Sequence, residues 1–293
     1  MDQQMNKRLL LSFTLSCLLT ASATAGDDKF KDVEIIPEQL TPTSYMFIGS
    51  GGNIGVSAGS DGILIIDNQF APLADKIAAA LSKIQAGKPK YIVNTHYHGD
   101  HTGNNNLFGI TGVILAHHNV LSRLSNNKNH TPAGLPSITY HEGINIHFNG
   151  DNLQLLHMGP GHTDGDSIVL WQDKSVVHMG DLFFKDKFPY IDLKAGGSVK
   201  GYRNNVAAII SQISSTTKVI PGHGSLANKN DLIRFRHMLD DSINWMEGKL
   251  SSGITLKDIQ TEGMPEQFAS WQWAFITEPK WIETLYHGLQ SPS

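Results

Sequence analysis

Short apolar runs separated by turn residues dominate the first part of the chain. Tyr45 to Ile48, Ile54 to Ala58 and Ile63 to Ile66 each read as a strand, with Gly51-Gly52 and Asp61-Gly62 as the turns between them. The pattern predicts an antiparallel meander. The period then changes. Leu73, Ile77, Leu81 and Ile84 fall on one stripe, Pro72 sits where a first helical turn tolerates it, and Gly87 ends the run, so a helix is expected there. Further strands are expected at Tyr91 to Asn94, Val113 to Ala116, Ile144 to Phe148, Leu153 to Met158, Ser167 to Trp171, Ser175 to Met179 and Val219-Ile220, with a helix around Asn119 to Leu124. From about Asp231 to Leu250, the apolar positions Leu232, Phe235, Leu239, Ile243, Met246 and Leu250 are spaced by three and four, which predicts a long helix laid on a sheet. The aromatic residues beyond it, Trp271, Trp273, Phe275 and Trp281, read as packing groups rather than a ligand box.

The N-terminus has a different logic. Lys7 and Arg8 precede the apolar stretch Leu9 to Leu19, and Ala23-Thr24-Ala25 supplies small residues before Gly26. That order predicts a secretory signal peptide over 1–25, with an apolar run too short to span a bilayer comfortably. The remainder, 26–293, is expected to form one domain whose C-terminal helices begin at about 230. The single cysteine, Cys17, lies in the signal segment, so neither disulfides nor thiolate chemistry is expected of the exported protein. With no disulfide, stability must come from the core. A chain of this length can bury roughly 70–75% of its unfolded surface. A formal net charge of −4 gives no basic stripe for nucleic acid.

The chemistry concentrates after strand ends. In Thr95-His96-Tyr97-His98-Gly99-Asp100-His101, three histidines and a carboxylate follow the strand Tyr91 to Asn94 directly. Residues two apart in an extended segment project to the same side, so His96 and His98 can converge on one ion, while Asp100 and His101 follow a glycine and can be aimed elsewhere. The spacing suits two adjacent metals. Gly161-His162-Thr163, Gly180-Asp181 and Pro221-Gly222-His223 each follow another strand, where a fold presents reactive groups along one edge. The other histidines, His178 included, fit no such spacing and read as packing or surface groups.

Taken together, His-x-His-x-Asp-His, the Gly-His-Thr loop, the Gly-Asp strand end and the Pro-Gly-His loop resemble the metallo-β-lactamase superfamily, over about Ser44 to Leu250. The resemblance implies an α/β fold, a four-layer αββα sandwich, with two zinc ions at one edge. His96, His98 and His162 would hold the first ion, Asp100, His101 and His223 the second, and Asp181 would bridge them. Asp100 would also orient the water nucleophile, and Asp67 would orient the His-rich loop. Phe70 is expected on the pocket wall, Gly51-Gly52 in a mobile flap, and Lys185 at a substrate carboxylate. The implied activity is hydrolysis of a small-molecule substrate, β-lactam or β-lactam-like, in the periplasm or outside the cell, with no obligate protein partner. Asp181 stands where the best-known secreted lactamases have cysteine, and Phe184 where they have lysine. These departures keep lactone, thioester and phosphodiester hydrolysis open, beside a non-catalytic metal-binding protein.

Overall fold

In the computed structural model, residues 28–290 are described except Lys174. The expected signal segment, 1–25, lies outside the described residues. The described residues from Val33 onward form one compact unit, and a turn of 3-10 helix at Asp28–Phe30 belongs to a separate one. The former carries everything that follows.

Its first half builds a seven-stranded sheet. Strands β2 (Ser44–Ile48), β3 (Ile54–Gly59) and β4 (Gly62–Ile66) form the antiparallel meander that the turn residues predicted, and β1 (Ile36–Gln39) pairs antiparallel with β2 at the sheet edge. Helix α1 (Ala74–Ile84) then leads to β5 (Pro89–Asn94), which lies parallel to β4. Two single-turn helices, α2 (Gly99–Thr102) and α3 (Asn105–Phe108), follow. Strand β6 (Val113–His117), helix α4 (His118–Ser125) and strand β7 (Ile138–Tyr140) complete this sheet, with β6 and β7 parallel to β5.

The second half builds a six-stranded sheet. Strands β8 (Gly143–Phe148), β9 (Asp151–Leu156), β10 (Ile168–Trp171) and β11 (Val176–His178) are antiparallel in sequence. Helix α5 (Val199–Gln212) crosses to β12 (Lys218–Ile220), parallel to β11, and β13 (Ala227–Asn228) closes the edge. Helices α6 (Lys229–Ser251), α7 (Leu256–Glu262) and α8 (Glu278–Gln290) end the chain.

Strand alternation sorts residues between two cores. Val169 and Trp171 join Leu64, Ile66, Val93, Phe148 and Leu155 in the core between the sheets. Ile168 and Leu170, one position out of phase, point the other way and pack with Tyr202, Val206 and Ile209 of α5, Phe235 and Leu239 of α6 and Trp281 of α8. Helices α3 and α4 lie beside β5 and β6 on the first sheet. The result is the expected αββα sandwich.

Differences from the sequence reading have local causes. β1 and β7 were not anticipated: β1 is an edge strand carrying Pro37, β7 has three residues, and neither offers a clear alternation. α5 was missed as well. Its buried face is Val199, Tyr202, Asn205, Val206 and Ile209, so a polar residue stands within the apolar stripe, and Gly201 early in the run weakens the helical signal. The long helix α6 is as predicted, begun by a capping box between Asn228 and Asp231.

Candidate metal centre

Strands β4, β5, β9, β11 and β12 all end on one edge of the sandwich, and the loops leaving them carry the predicted groups. The structure gathers them into two adjoining sets. His96, His98, His162 and Asp181 have potential ligand atoms within 4.8 Å of one another, and so do Asp100, His101 and His223. Asp181 links the sets. Its Oδ2 lies 3.7 Å from His96 Nε2 and 3.4 Å from His162 Nε2, while its Oδ1 lies 3.1 Å from His101 Nε2 and 3.3 Å from His223 Nε2. Asp100 Oδ2 stands 3.7 Å from His101 Nε2 and 3.4 Å from His223 Nε2, on the more open side.

Hydrogen bonds to the outer nitrogens fix how each imidazole presents itself. Asp67 Oδ2 accepts from His101 Nδ1 at 2.7 Å and from the Thr95 hydroxyl at 2.7 Å, and Oδ1 accepts from the Thr95 amide at 2.8 Å. Because the Thr95 hydroxyl gives its proton to Asp67, it accepts from His96 Nδ1, 3.0 Å away. His162 Nδ1 donates to the Tyr190 carbonyl at 2.7 Å, and His98 Nε2 to Asp192 Oδ2 at 3.2 Å. The lone pairs of His96 Nε2, His98 Nδ1, His101 Nε2 and His162 Nε2 therefore all face inward.

That interior is a poor place for a protein without a cation. His96 Nε2, His101 Nε2 and Asp181 Oδ1 are buried and have no hydrogen-bond partner, although such atoms are normally satisfied. The inner nitrogens of His98 and His162 approach to 2.8 Å with both outer protons already placed, so something positive must lie between them. Burial holds His162 neutral, its pKa pushed down to about 3, and with the neighbouring imidazoles it pushes His96 well below the usual range. For His101 burial acts the same way, but Asp181, Asp100 and Asp67 outweigh it and raise the pKa well above the ordinary value. Burial alone would raise Asp181, yet His101, His223 and His96 hold its carboxyl well below the carboxylate range. Neutral His96 and His162 with a shared carboxylate form a donor set suited to metal, and a cation would take the place of the proton that the three carboxylates hold on His101.

Backbone geometry brings these groups close. Asp67 leaves β4 at φ 63°, a left-handed conformation that is costly for a non-glycine residue and is stabilised by its amide donating to Val93. A Cβ on Gly52 would collide with the His101 ring, and one on Gly222 with Asp181 Oδ1. The Tyr202 hydroxyl of α5 donates to the Asp181 carbonyl at 2.7 Å.

Sequence reasoning missed Asp192. It lies in the loop before α5 and takes the His98 Nε2 proton and, at 2.7 Å, the Tyr97 hydroxyl. Those two donors, His98 first, hold its carboxyl below the usual range. Nothing local marks it, because its partners are 94 and 95 residues away.

Among the pocket expectations, Phe70 borders Gly51, which also adjoins Asp100. The Lys185 ammonium donates to the Leu226 carbonyl at 2.8 Å and Ser225 at 3.2 Å and pairs with Asp231. The Gly52 amide donates to Asp100, its carbonyl accepts from Gln69, and Asn53 donates to Pro221, Gly222 and Gly224, which pins the turn between β2 and β3. Trp271, Trp273 and Trp281 pack on the core as read, Trp281 stacked on Phe188, while Trp273 also lies beside His223 and Phe275 beside Tyr190.

The model of the metallo-β-lactamase superfamily matches residues 47–223, more than half of the chain. The chain belongs to this superfamily. A similar curated protein is an uncharacterised one from Aquifex aeolicus, 28% identical over 51% of this chain and 74% of its own. Another, a "Beta-lactamase-like protein 2 homolog" of Caenorhabditis elegans, is 27% identical over 66% of this chain, which spans 59% of that relative's length. Among solved structures, a metallo-beta-lactamase from Pontibacter korlensis superposes with a TM-score of 0.60 at 14% identity, covering 71% of this chain and 99% of that one. That likeness shows the fold. Superfamily membership and the His/Asp cluster together support a metal-dependent hydrolase. No helix among the described residues is long and apolar enough to cross a membrane.

Proposed function

We propose that the protein is a binuclear zinc hydrolase that opens a carbonyl substrate, a β-lactam or similar amide, after export through the segment 1–25. The observation that carries this reading is the Asp181 carboxylate, with one oxygen on each histidine set and no other partner for its buried Oδ1. His96, His98 and His162 would hold one ion, Asp100, His101 and His223 the other, with Asp181 shared. Zinc at such a site supplies Lewis acidity and lowers the pKa of water toward about 7.

The chain's own groups do the rest. Asp67, Thr95, Tyr190 and Asp192 hold His101, His96, His162 and His98 in the tautomers that leave their lone pairs inward. Asp100, partly exposed at 22%, can orient an attacking water, accept its proton and return that proton to the leaving group. All seven expected groups are brought together, which argues against a fold kept only to bind a partner. The bridging carboxylate, in place of a thiolate, also favours a second reading, hydrolysis of lactones, thioesters or phosphodiesters.

Hydrolysis of a lactam, lactone, thioester and phosphodiester panel by zinc-loaded protein, with and without chelator, tests both. Chelator-sensitive turnover that Asp100→Asn reduces at least about 100-fold is expected, given the usual worth of a positioned acid–base group. Absence of turnover on every substrate, at full zinc loading, would sink the proposal.

A further inference from the structure

The C-terminal segment reaches back over the metal centre, although the family match ends at residue 223. Trp273 lies 6.5 Å, centroid to centroid, from His223 and 5.5 Å from Phe275. Phe275 is 5.5 Å from Tyr190, which is 5.7 Å from both His98 and His162. An arc of three aromatic rings thus joins one histidine set to the other. It is held in place: the Phe188 amide donates to Trp271 at 2.7 Å, Trp273 Nε1 donates to Phe188 at 3.0 Å, and Ile276 is fully buried beneath the turn. Yet Phe275 itself is 50% exposed, an unusual position for a ring that nothing else requires there. Two cations cap the arc. Lys187 Nζ sits 4.9 Å from the Trp273 centroid, and Lys280 Nζ sits 4.0 Å from that of Phe275.

We propose that Trp273, Phe275 and Tyr190 form the specificity wall of the metal centre, binding a flat apolar group of the substrate, and that Lys187 and Lys280 restrict this group to neutral or anionic forms. The inference rests on the hydrolase reading above and names its substrate class: carbonyl compounds bearing an aryl group close to the scissile bond. Two features select this occupant. The wall is continuous with the histidines, so whatever covers it also touches the reacting position. An ammonium already covers one face of Trp273 and one of Phe275, so another ring would meet the ring edges and the exposed part of Phe275. The ammonium groups lie over the ring faces, so a cationic ligand would meet repulsion and a carboxylate attraction.

The test compares phenylacetyl and acetyl thioesters of one small thiol, with phenylacetate binding followed by tryptophan fluorescence on metal-free protein. The wild type should prefer the phenylacetyl thioester in kcat/KM. Phe275→Ala, at a half-exposed site with little risk to folding, should lower that preference roughly 10-fold at equal metal content, the size of a lost aromatic contact with its burial. Trp273→Leu should weaken phenylacetate binding similarly, and 4-(aminomethyl)phenylacetate should bind worse than phenylacetate to the wild type. An unchanged preference in Phe275→Ala, or equal binding of the two acids, overturns the inference. If the wild type cleaves neither thioester, the fluorescence titration alone decides: binding sensitive to both substitutions supports the wall, and no binding refutes it.

Discussion

Replacing Asp67 with asparagine removes one acceptor oxygen and puts an amide in its place. The left-handed backbone at φ 63° suits asparagine as well as aspartate, so the loop should keep its course. The remaining oxygen can still accept from the Thr95 amide, now at 2.8 Å. The other position faces His101 Nδ1 at 2.7 Å, where two N–H groups cannot meet. His101 escapes by moving its proton to Nε2, which then points a hydrogen at Asp181 and has no lone pair for a cation. Removal of an outer partner of a metal-binding histidine costs about 10–100-fold in metal affinity, and a blocked nitrogen places Asp67→Asn at the upper end. Two buried hydrogen bonds are disturbed, so stability without metal should also fall by about 1–3 kcal/mol. Competition titration with a chromophoric zinc chelator would read the first effect and urea unfolding the second. If Asp67→Asn retained wild-type affinity at both positions, the tautomer reasoning would be refuted.

Other consequences are open to direct measurement. Gly52→Ala should push the His101 ring aside and reduce bound metal, with an unchanged far-ultraviolet circular dichroism spectrum; normal metal content would show that the ring has room. Asp192→Asn should weaken metal binding roughly 10-fold through His98, reducing affinity while leaving at least one ion bound; loss of both ions would contradict it. The metal-free protein should lose stability as pH falls from about 6.5 to 4.5. His162, at about 3, with His96, His117 and His178, all lowered, stay neutral when folded and take up protons on unfolding, whereas Asp166, raised to about 7, opposes them with one proton. Each net proton changes stability by about 1.4 kcal/mol per pH unit, so a Tm that stays flat or rises on acidification would refute the balance.

Much of this architecture was written locally. The β2–β4 meander followed from two glycine turns and the α6 helix from an unbroken apolar stripe, because both depend on neighbours in sequence. The seven clustered groups were legible for a related reason: each follows a strand, and glycines mark where backbone must pass close to a side chain. What could not be read were roles created by distant pairing. Asp192 is one aspartate among many until the fold sets it against Tyr97 and His98. Lys185 meets Leu226 and Asp231 only in the fold. Trp273 and Trp281 look alike in sequence, yet the first stands beside His223 and the second is buried on the inner face of α8. Aromatic residues in a helical tail carry no local mark of which face will meet a loop from the other end of the sheet.

Zinc titration of the metal-free protein, wild type against Asp181→Asn, tests the central claim most directly. The account predicts two equivalents per chain for the wild type and the loss of tight binding for at least one of them in Asp181→Asn. A single equivalent in the wild type, or two undiminished equivalents in Asp181→Asn, would contradict a centre built around a shared carboxylate.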